Sequence, residues 1–140
     1  MTERTSYLPG TPSWIDLGSP DTGASAAFYG GLLGWTAEID PRLEAGGYGI
    51  FTLRGKRVAG LGPQMNLDMP LFWALYVSPC RCRHQEDCDA SAAQAVELGG
   101  SILMPPTDMD FGRGAVVVDP HGAVIGIGVM SAAIQATAPA

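Results

Sequence analysis

Two halves of this chain repeat each other, and that repetition restricts the fold more than any single motif. Ala24-Ser25-Ala26-Ala27 returns as Ala90-Ser91-Ala92-Ala93, and Val58-Ala59-Gly60-Leu61-Gly62 is matched by Val124-Ile125-Gly126-Ile127-Gly128. Gly34 likewise pairs with Gly100, and Asp21 with Asp87. All of these pairs are 66 residues apart. Upstream, Ser13-Trp14-Ile15-Asp16-Leu17-Gly18-Ser19 lines up with Phe72-Trp73-Ala74-Leu75-Tyr76-Val77-Ser78 at a spacing of 59. The difference of seven makes Pro79–Gln85 an insertion in the second copy. A self-similar chain builds one supersecondary unit twice, so each copy must carry the same elements in the same order.

The elements follow from local pattern. Trp14–Leu17 and Phe72–Val77 are short, apolar and aromatic, which predicts strands. Asp21-Thr22 and Asp87-Cys88-Asp89 supply helix-capping side chains, so helices are expected over Ala24–Leu33 and Ala90–Leu98. Gly34 and Gly99-Gly100 end them, because glycine accepts the left-handed residue of a helix terminus. Further strands are expected at Trp35–Ile39, Tyr48–Leu53 and Val58–Gly62, and at Ser101–Met104, Ala115–Val118 and Ala123–Val129. Arg54-Gly55-Lys56 and Asp119-Pro120-His121-Gly122 are turns. Each copy then reads βαβββ. The expected organisation is one domain over 11–130: repeat one at 11–63, a linker at 64–70, repeat two at 71–130, and a loose Ala-rich tail at 131–140.

Composition excludes several function classes. In 140 residues, 46% hydrophobic content supports a packed core and is too high for a disordered chain. A net charge of −6 with scattered Lys and Arg argues against a nucleic-acid partner. No apolar run reaches the ~20 residues of a membrane span, and the polar opening MTERTSYLPG lacks a secretory apolar stretch. The expectation is a cytoplasmic protein without a membrane partner. Three cysteines in a reducing setting do not form a disulfide framework.

All three cysteines fall in SPCRCRHQEDCD. Cys80, Cys82, His84 and Cys88 are soft donors that zinc or copper(I) would accept. Single-residue gaps along one arc differ from the paired arms of structural zinc sites, so incidental thiols on a surface loop and a redox role stand beside the metal reading. Elsewhere, no Ser or Cys nucleophile motif and no phosphate-cradling loop occurs, and His121 reads as a solvated turn residue.

The double βαβββ pattern resembles the vicinal oxygen chelate superfamily, which includes glyoxalases, extradiol dioxygenases and bleomycin-resistance proteins. The resemblance rests on SWIDLGSPDTGASAAFYGGLLGW and VVVDPHGAVIGI. The PGTPSWIDL opening is similar to glyoxalase-like proteins of actinobacteria often labelled hydroxylases, which commonly carry two such domains in tandem. The resemblance implies an α+β fold in which two βαβββ repeats form a curved mixed sheet around a cup, with helices outside, and a homodimer. It also implies metal ligands on the first and last strand of each repeat. Carried over by position, these fall on Trp14, Gly60, Trp73 and Gly126, none with a donor side chain, so no cofactor is predicted.

Two tryptophans facing two glycines suggest a slot for a planar or aromatic ligand; core packing is the alternative. Tyr48, Phe51, Tyr76, Met65 and Met109 are candidate wall residues. Strand alternation puts Asp16 on the face of Trp14, where a carboxylate could orient a ligand or act as acid/base. The leading expectation is a small-molecule binding protein without the usual metal centre. The alternatives are a lyase, isomerase or oxygenase of the same fold using Asp16, and a regulatory protein with the Cys loop as sensor.

Overall fold

The computed structural model describes residues 8–42, 46–64, 67–68, 70–78, 86–109 and 112–130. Its contacts divide the chain into two compact units. Residues 14–73 make up one, and residues 74–130 together with 8–13 make up the other. Both are α+β, and both have the βαβββ order that the internal repeat demands.

The first unit contains β1 (Pro12–Ser19), α1 (Thr22–Leu33), β2 (Thr36–Ile39), β3 (Gly49–Leu53) and β4 (Lys56–Pro63). Its strands lie in the order β2-β3-β4-β1. β1 runs parallel to β4, and the other two pairings are antiparallel. Asp21 caps α1: its side chain accepts from the Ala24 backbone N–H at 2.9 Å. Gly34, left-handed at φ 71°, ends the helix by donating to the Gly30 carbonyl. Arg54 and Gly55 have φ of 53° and 76°, the consecutive positive values that a tight two-residue hairpin needs between β3 and β4.

The core of this unit forms where the sheet meets α1. Leu17, Phe51, Ala59 and Leu61 are buried and pack with Ile15, Ala26, Tyr29, Trp35 and Trp73. Tyr29, Trp35, Phe51 and Trp73 form an aromatic cluster with ring centroids 5.1 to 6.4 Å apart. Alternation along β1 aims Ile15 and Leu17 at α1, and therefore turns Trp14 and Asp16 to the other face.

The second unit contains β5 (Trp73–Val77) from Ala74 onward, α2 (Glu86–Glu97), β6 (Ser101–Met109), β7 (Gly112–Val118) and β8 (Val124–Met130). The order is β5-β8-β7-β6, with β5 and β8 parallel. The start of β1 belongs here: Ser78 N–H donates to the Thr11 carbonyl at 3.0 Å, and the Ser13 hydroxyl to the Tyr76 carbonyl at 3.2 Å. The fully buried centre under α2 is made of small side chains, Cys88, Ala92 and Ala115. Asp119 closes the β7–β8 turn by accepting from the N–H groups of His121 and Ala123, which lowers its carboxyl pKa.

Two boundaries differ from the sequence expectation. α2 starts at Glu86, four residues before Ala90, so Asp87 and Asp89 lie inside the first turn, where acidic side chains favour the helix dipole. β6 continues past Met104 through Pro105 and Pro106 to Met109. It is the edge strand, where proline costs no shared ladder bond, and the register shifts on both sides of Met104 absorb the irregularity. The linker residues Met65, Asn66 and Met69, the insertion 79–85 and the tail 131–140 lie outside the described residues.

Phe51 has no exposed surface and sits at the centre of the aromatic cluster. Phe51→Ala is expected to destabilise the protein by about 3–5 kcal/mol, through lost transfer energy and the cavity left behind. Urea unfolding followed by far-UV circular dichroism checks this.

Candidate functional site

A side chain on a strand face needs a neighbour small enough to leave room, and β4 supplies two glycines for this purpose. Gly60 and Gly62 are two residues apart, so both leave the same face of the sheet bare. Tyr48, just before β3, lays its ring across them. A Cβ on Gly60 would overlap the Tyr48 hydroxyl, and one on Gly62 would stand 2.9 Å from Tyr48 Cδ2. The β1–β4 register sets Asp16 beside Gly60. Trp14, one step along the same face and 4% exposed, donates its indole N–H to the Tyr48 hydroxyl at 3.3 Å. An indole, a phenol and a carboxyl thus converge on the face turned away from α1.

Asp16 is the electrostatic centre of this group. Burial alone raises its pKa from an ordinary 3.8 to about 7. A carboxyl so placed is part protonated near neutral pH, and it can donate a hydrogen bond to a carbonyl oxygen or accept a proton from a bound molecule.

The second unit repeats the device. Tyr76, also 4% exposed, pairs with Gly126. Its ring lies over Gly126 and Gly128, close enough to overlap a Cβ on the former and to meet one on the latter at 3.4 Å. The pairings Asp16–Gly60 and Tyr76–Gly126 also set the repeat register. Asp16 corresponds to Tyr76, and Trp14 to Ala74, a spacing of 60 instead of the 59 read from sequence. One residue of slip moves a side chain to the opposite face.

Trp73 is therefore not the structural mate of Trp14. It turns to α1, donates its indole N–H to the Tyr29 hydroxyl at 3.0 Å, and lines a groove with Phe28, Leu71 and Phe72. Phe51 lies in the same helix-side core. The structure brings together Trp14, Asp16, Tyr48 and Gly60, sets Tyr76 on Gly126, and leaves Phe51 and Trp73 apart from them. The sequence signal for the tyrosine floor was the pair Gly60-x-Gly62 and its copy Gly126-x-Gly128. Read singly, Gly60 and Gly126 suggested an open slot facing tryptophan; they instead carry the tyrosine rings.

The metal expectation meets the same geometry. The last-strand positions that the resemblance marks for metal donors, Gly60 and Gly126, lie under tyrosine rings, so a longer donor side chain would collide there. Trp14 and Ala74 offer no donor at the first-strand positions. Among the described residues, no three His, Cys, Asp or Glu side chains come together. The residues present do not fit the family's metal. Of the loop set, Cys88 is fully buried on α2, its thiol 3.7 Å from the Ile127 carbonyl and its pKa raised to about 11, chiefly by burial. That is a packed thiol. Cys80, Cys82 and His84 lie outside the described residues.

Comparison with known proteins follows the same lines. A family model described as a glyoxalase-like domain matches residues 14–127. The anthracycline biosynthesis protein DnrV of Streptomyces peucetius is 39% identical over 92% of this chain. The alignment covers 51% of that protein, so the chain spans about half the length of the curated relatives it matches. Among solved structures, the Mn(II)-bound glyoxalase from Novosphingobium aromaticivorans has a TM-score of 0.54 at 17% identity, over 91% of this chain and 40% of that one. Streptomyces coelicolor methylmalonyl-CoA epimerase, solved with 2-nitronate-propionyl-CoA, has a TM-score of 0.56 at 17% identity, over 86% of this chain and 96% of that one. These two likenesses establish the fold.

Two outcomes test the site. With its pKa raised to about 7, Asp16 holds a proton in the native protein that the unfolded chain releases above pH ~4, so the contribution of this group to stability is full below that pH and falls as pH rises towards 7. The loss is on the order of 4 kcal/mol, and Asp16→Asn should flatten that slope in urea unfolding measured across the range. Gly60→Ala should cost about 1–3 kcal/mol by overpacking against Tyr48, visible as a lower urea midpoint.

Proposed function

The chain belongs to the glyoxalase-like family, and on that premise we propose that it binds a planar, carbonyl-bearing small molecule at the Trp14–Asp16–Tyr48 face, without the metal centre of the family's metalloenzymes. The observation that carries this reading is the tyrosine floor: at the positions where those enzymes hold metal donors, Tyr48 and Tyr76 lie over glycines. Aromatic surface replaces ligating oxygen and nitrogen. Such a surface favours flat, apolar partners, and Asp16 supplies one polar point for orientation. The name of DnrV points the same way, since anthracyclines are flat polycyclic quinones. The structural neighbours solved with Mn(II) and a CoA ester support a small ligand as the general occupant of this fold.

A second reading is favoured by Asp16 itself. A carboxyl with a pKa of about 7 next to a phenol is suited to moving a proton at a carbon or oxygen of a bound carbonyl compound. In that reading Asp16 is the acid/base, and Tyr48, held by the Trp14 indole, steadies the developing oxyanion. From the resemblance and the cysteine usage we also propose a homodimer in a reducing, cytoplasmic setting. No described helix is long and apolar enough to cross a membrane.

Titration calorimetry with a hydroxyanthraquinone at pH 6 and pH 8 tests the binding reading. Saturable binding is expected, tighter at pH 6, where Asp16 holds its proton for the quinone carbonyl. Asp16→Asn should abolish the pH difference, and Trp14→Ala should weaken binding at least ~10-fold. Absence of saturable heat at both pH values would remove the proposal. Deuterium uptake by the ligand that needs wild-type protein and is lost in Asp16→Asn would establish the catalytic reading instead.

A further inference from the structure

We propose that Trp14 makes the site selective for the oxidised form of its ligand, a quinone over the corresponding hydroquinone, by committing the Tyr48 hydroxyl to donate. This rests on the reading of the Trp14–Asp16–Tyr48 face as a site for a planar carbonyl compound, and adds which redox form binds and which residue decides it. An indole nitrogen is a donor and never an acceptor. Trp14 is 4% exposed, so its N–H is largely out of reach of water and needs a partner within the protein. That partner is the Tyr48 hydroxyl oxygen, at 3.3 Å. With so little surface, Trp14 has almost nothing to lay against a ligand itself. Its effect on the site passes through Tyr48, which is half-buried. Trp14 is therefore a positioning residue.

A tyrosine hydroxyl by itself can take either role, since it has one proton to give and lone pairs to receive one. The Trp14 N–H fills the accepting side of the oxygen, and the hydroxyl proton turns away from the indole. The hydroxyl stands beside Asp16: a Cβ on Gly60 would overlap it and would stand 2.9 Å from Asp16 Cβ. Phenol and carboxyl thus flank one bare spot on the strand. With its pKa raised to about 7 by burial, the carboxyl adds a second donor at lower pH. Quinone and hydroquinone share one ring skeleton and differ only at their oxygens. A quinone carbonyl has lone pairs and no proton, which suits a donor. A hydroquinone hydroxyl brings a proton of its own, and Tyr48 no longer has an acceptor to spare for it. A donor left unpaired away from water costs affinity. A site built around one hydrogen-bonding role therefore rejects an analogue that cannot answer it more strongly than apolar contact alone would.

Anaerobic titration calorimetry at pH 6, with a hydroxyanthraquinone and with its electrochemically reduced hydroquinone, tests this. Wild type should bind the quinone at least ~10-fold more tightly, which lowers the midpoint potential of the bound couple by about 30 mV. Trp14→Phe keeps an aromatic ring and loses the N–H, and should bring the two affinities together. Tyr48→Phe should do the same, and the double variant should move the ratio no further than either single one. A Trp14 that only supported the fold would weaken both forms alike and leave the ratio standing. If circular dichroism finds Trp14→Phe unfolded, the wild-type ratio and its loss in Tyr48→Phe carry the test. Equal affinities in wild type, or a ratio that survives either substitution in a folded variant, would overturn this inference and leave the binding reading in place. No saturable binding of either form would overturn both.

Discussion

A tyrosine ring can lie flat on a β-strand only where the strand beneath it has no side chains. Gly60-x-Gly62 and Gly126-x-Gly128 provide that bare surface, and Tyr48 and Tyr76 occupy it. Much of the site geometry depends on this contact. Tyr48 could not reach the Trp14 indole across a strand with β-carbons on that face. Asp16 stands beside Gly60 on the same face, where burial raises its pKa.

The same contact explains how a fold associated with metal chemistry can carry a different kind of surface. The strand positions stay as the repeat lays them down, and only the side chains differ. Trp14 and the glycines beneath Tyr48 and Tyr76 stand where the resemblance puts metal donors, so the chemistry these positions offer differs while the fold does not. The helix side of the first unit has a separate role. Phe51, Trp35, Trp73 and Tyr29 hold α1 to the sheet by its inner edge, while Phe28 and Leu32 project outward from a helix without charge. One element therefore contributes both to a core and to an exposed apolar face.

Much of the fold was legible because the chain states it twice. The βαβββ order, both helices, the capping Asp21 and Gly34 and the glycine-bearing turns all follow from local chemistry and the repeat. The misread boundaries have a common cause. Pro105 and Pro106 look like a strand end, yet an edge strand has an open side that asks nothing of the proline nitrogen. Asp87 and Asp89 look like caps, yet they also suit a first helical turn.

The site was only partly legible. Trp14, Asp16, Tyr48 and Tyr76 were all identifiable from the residues, but their grouping was not. Matching by similarity set Trp14 against Trp73 because both are tryptophan; hydrogen-bond register sets Trp14 against Ala74. Residue identity cannot resolve a slip of one, since aromatic residues suit either face of a strand, and the slip decides which face each takes. The sequence by itself determined the repeat, the elements, the acidic charge, the neutral α1 and the absence of donors at Gly60 and Gly126. Only the tertiary structure decided that Trp73 and Phe51 belong to the core, that tyrosines cover the glycines, and that Asp16 sits where burial raises its pKa. Those outcomes depend on contacts between residues tens of positions apart, which pairing register and packing fix and local propensity does not.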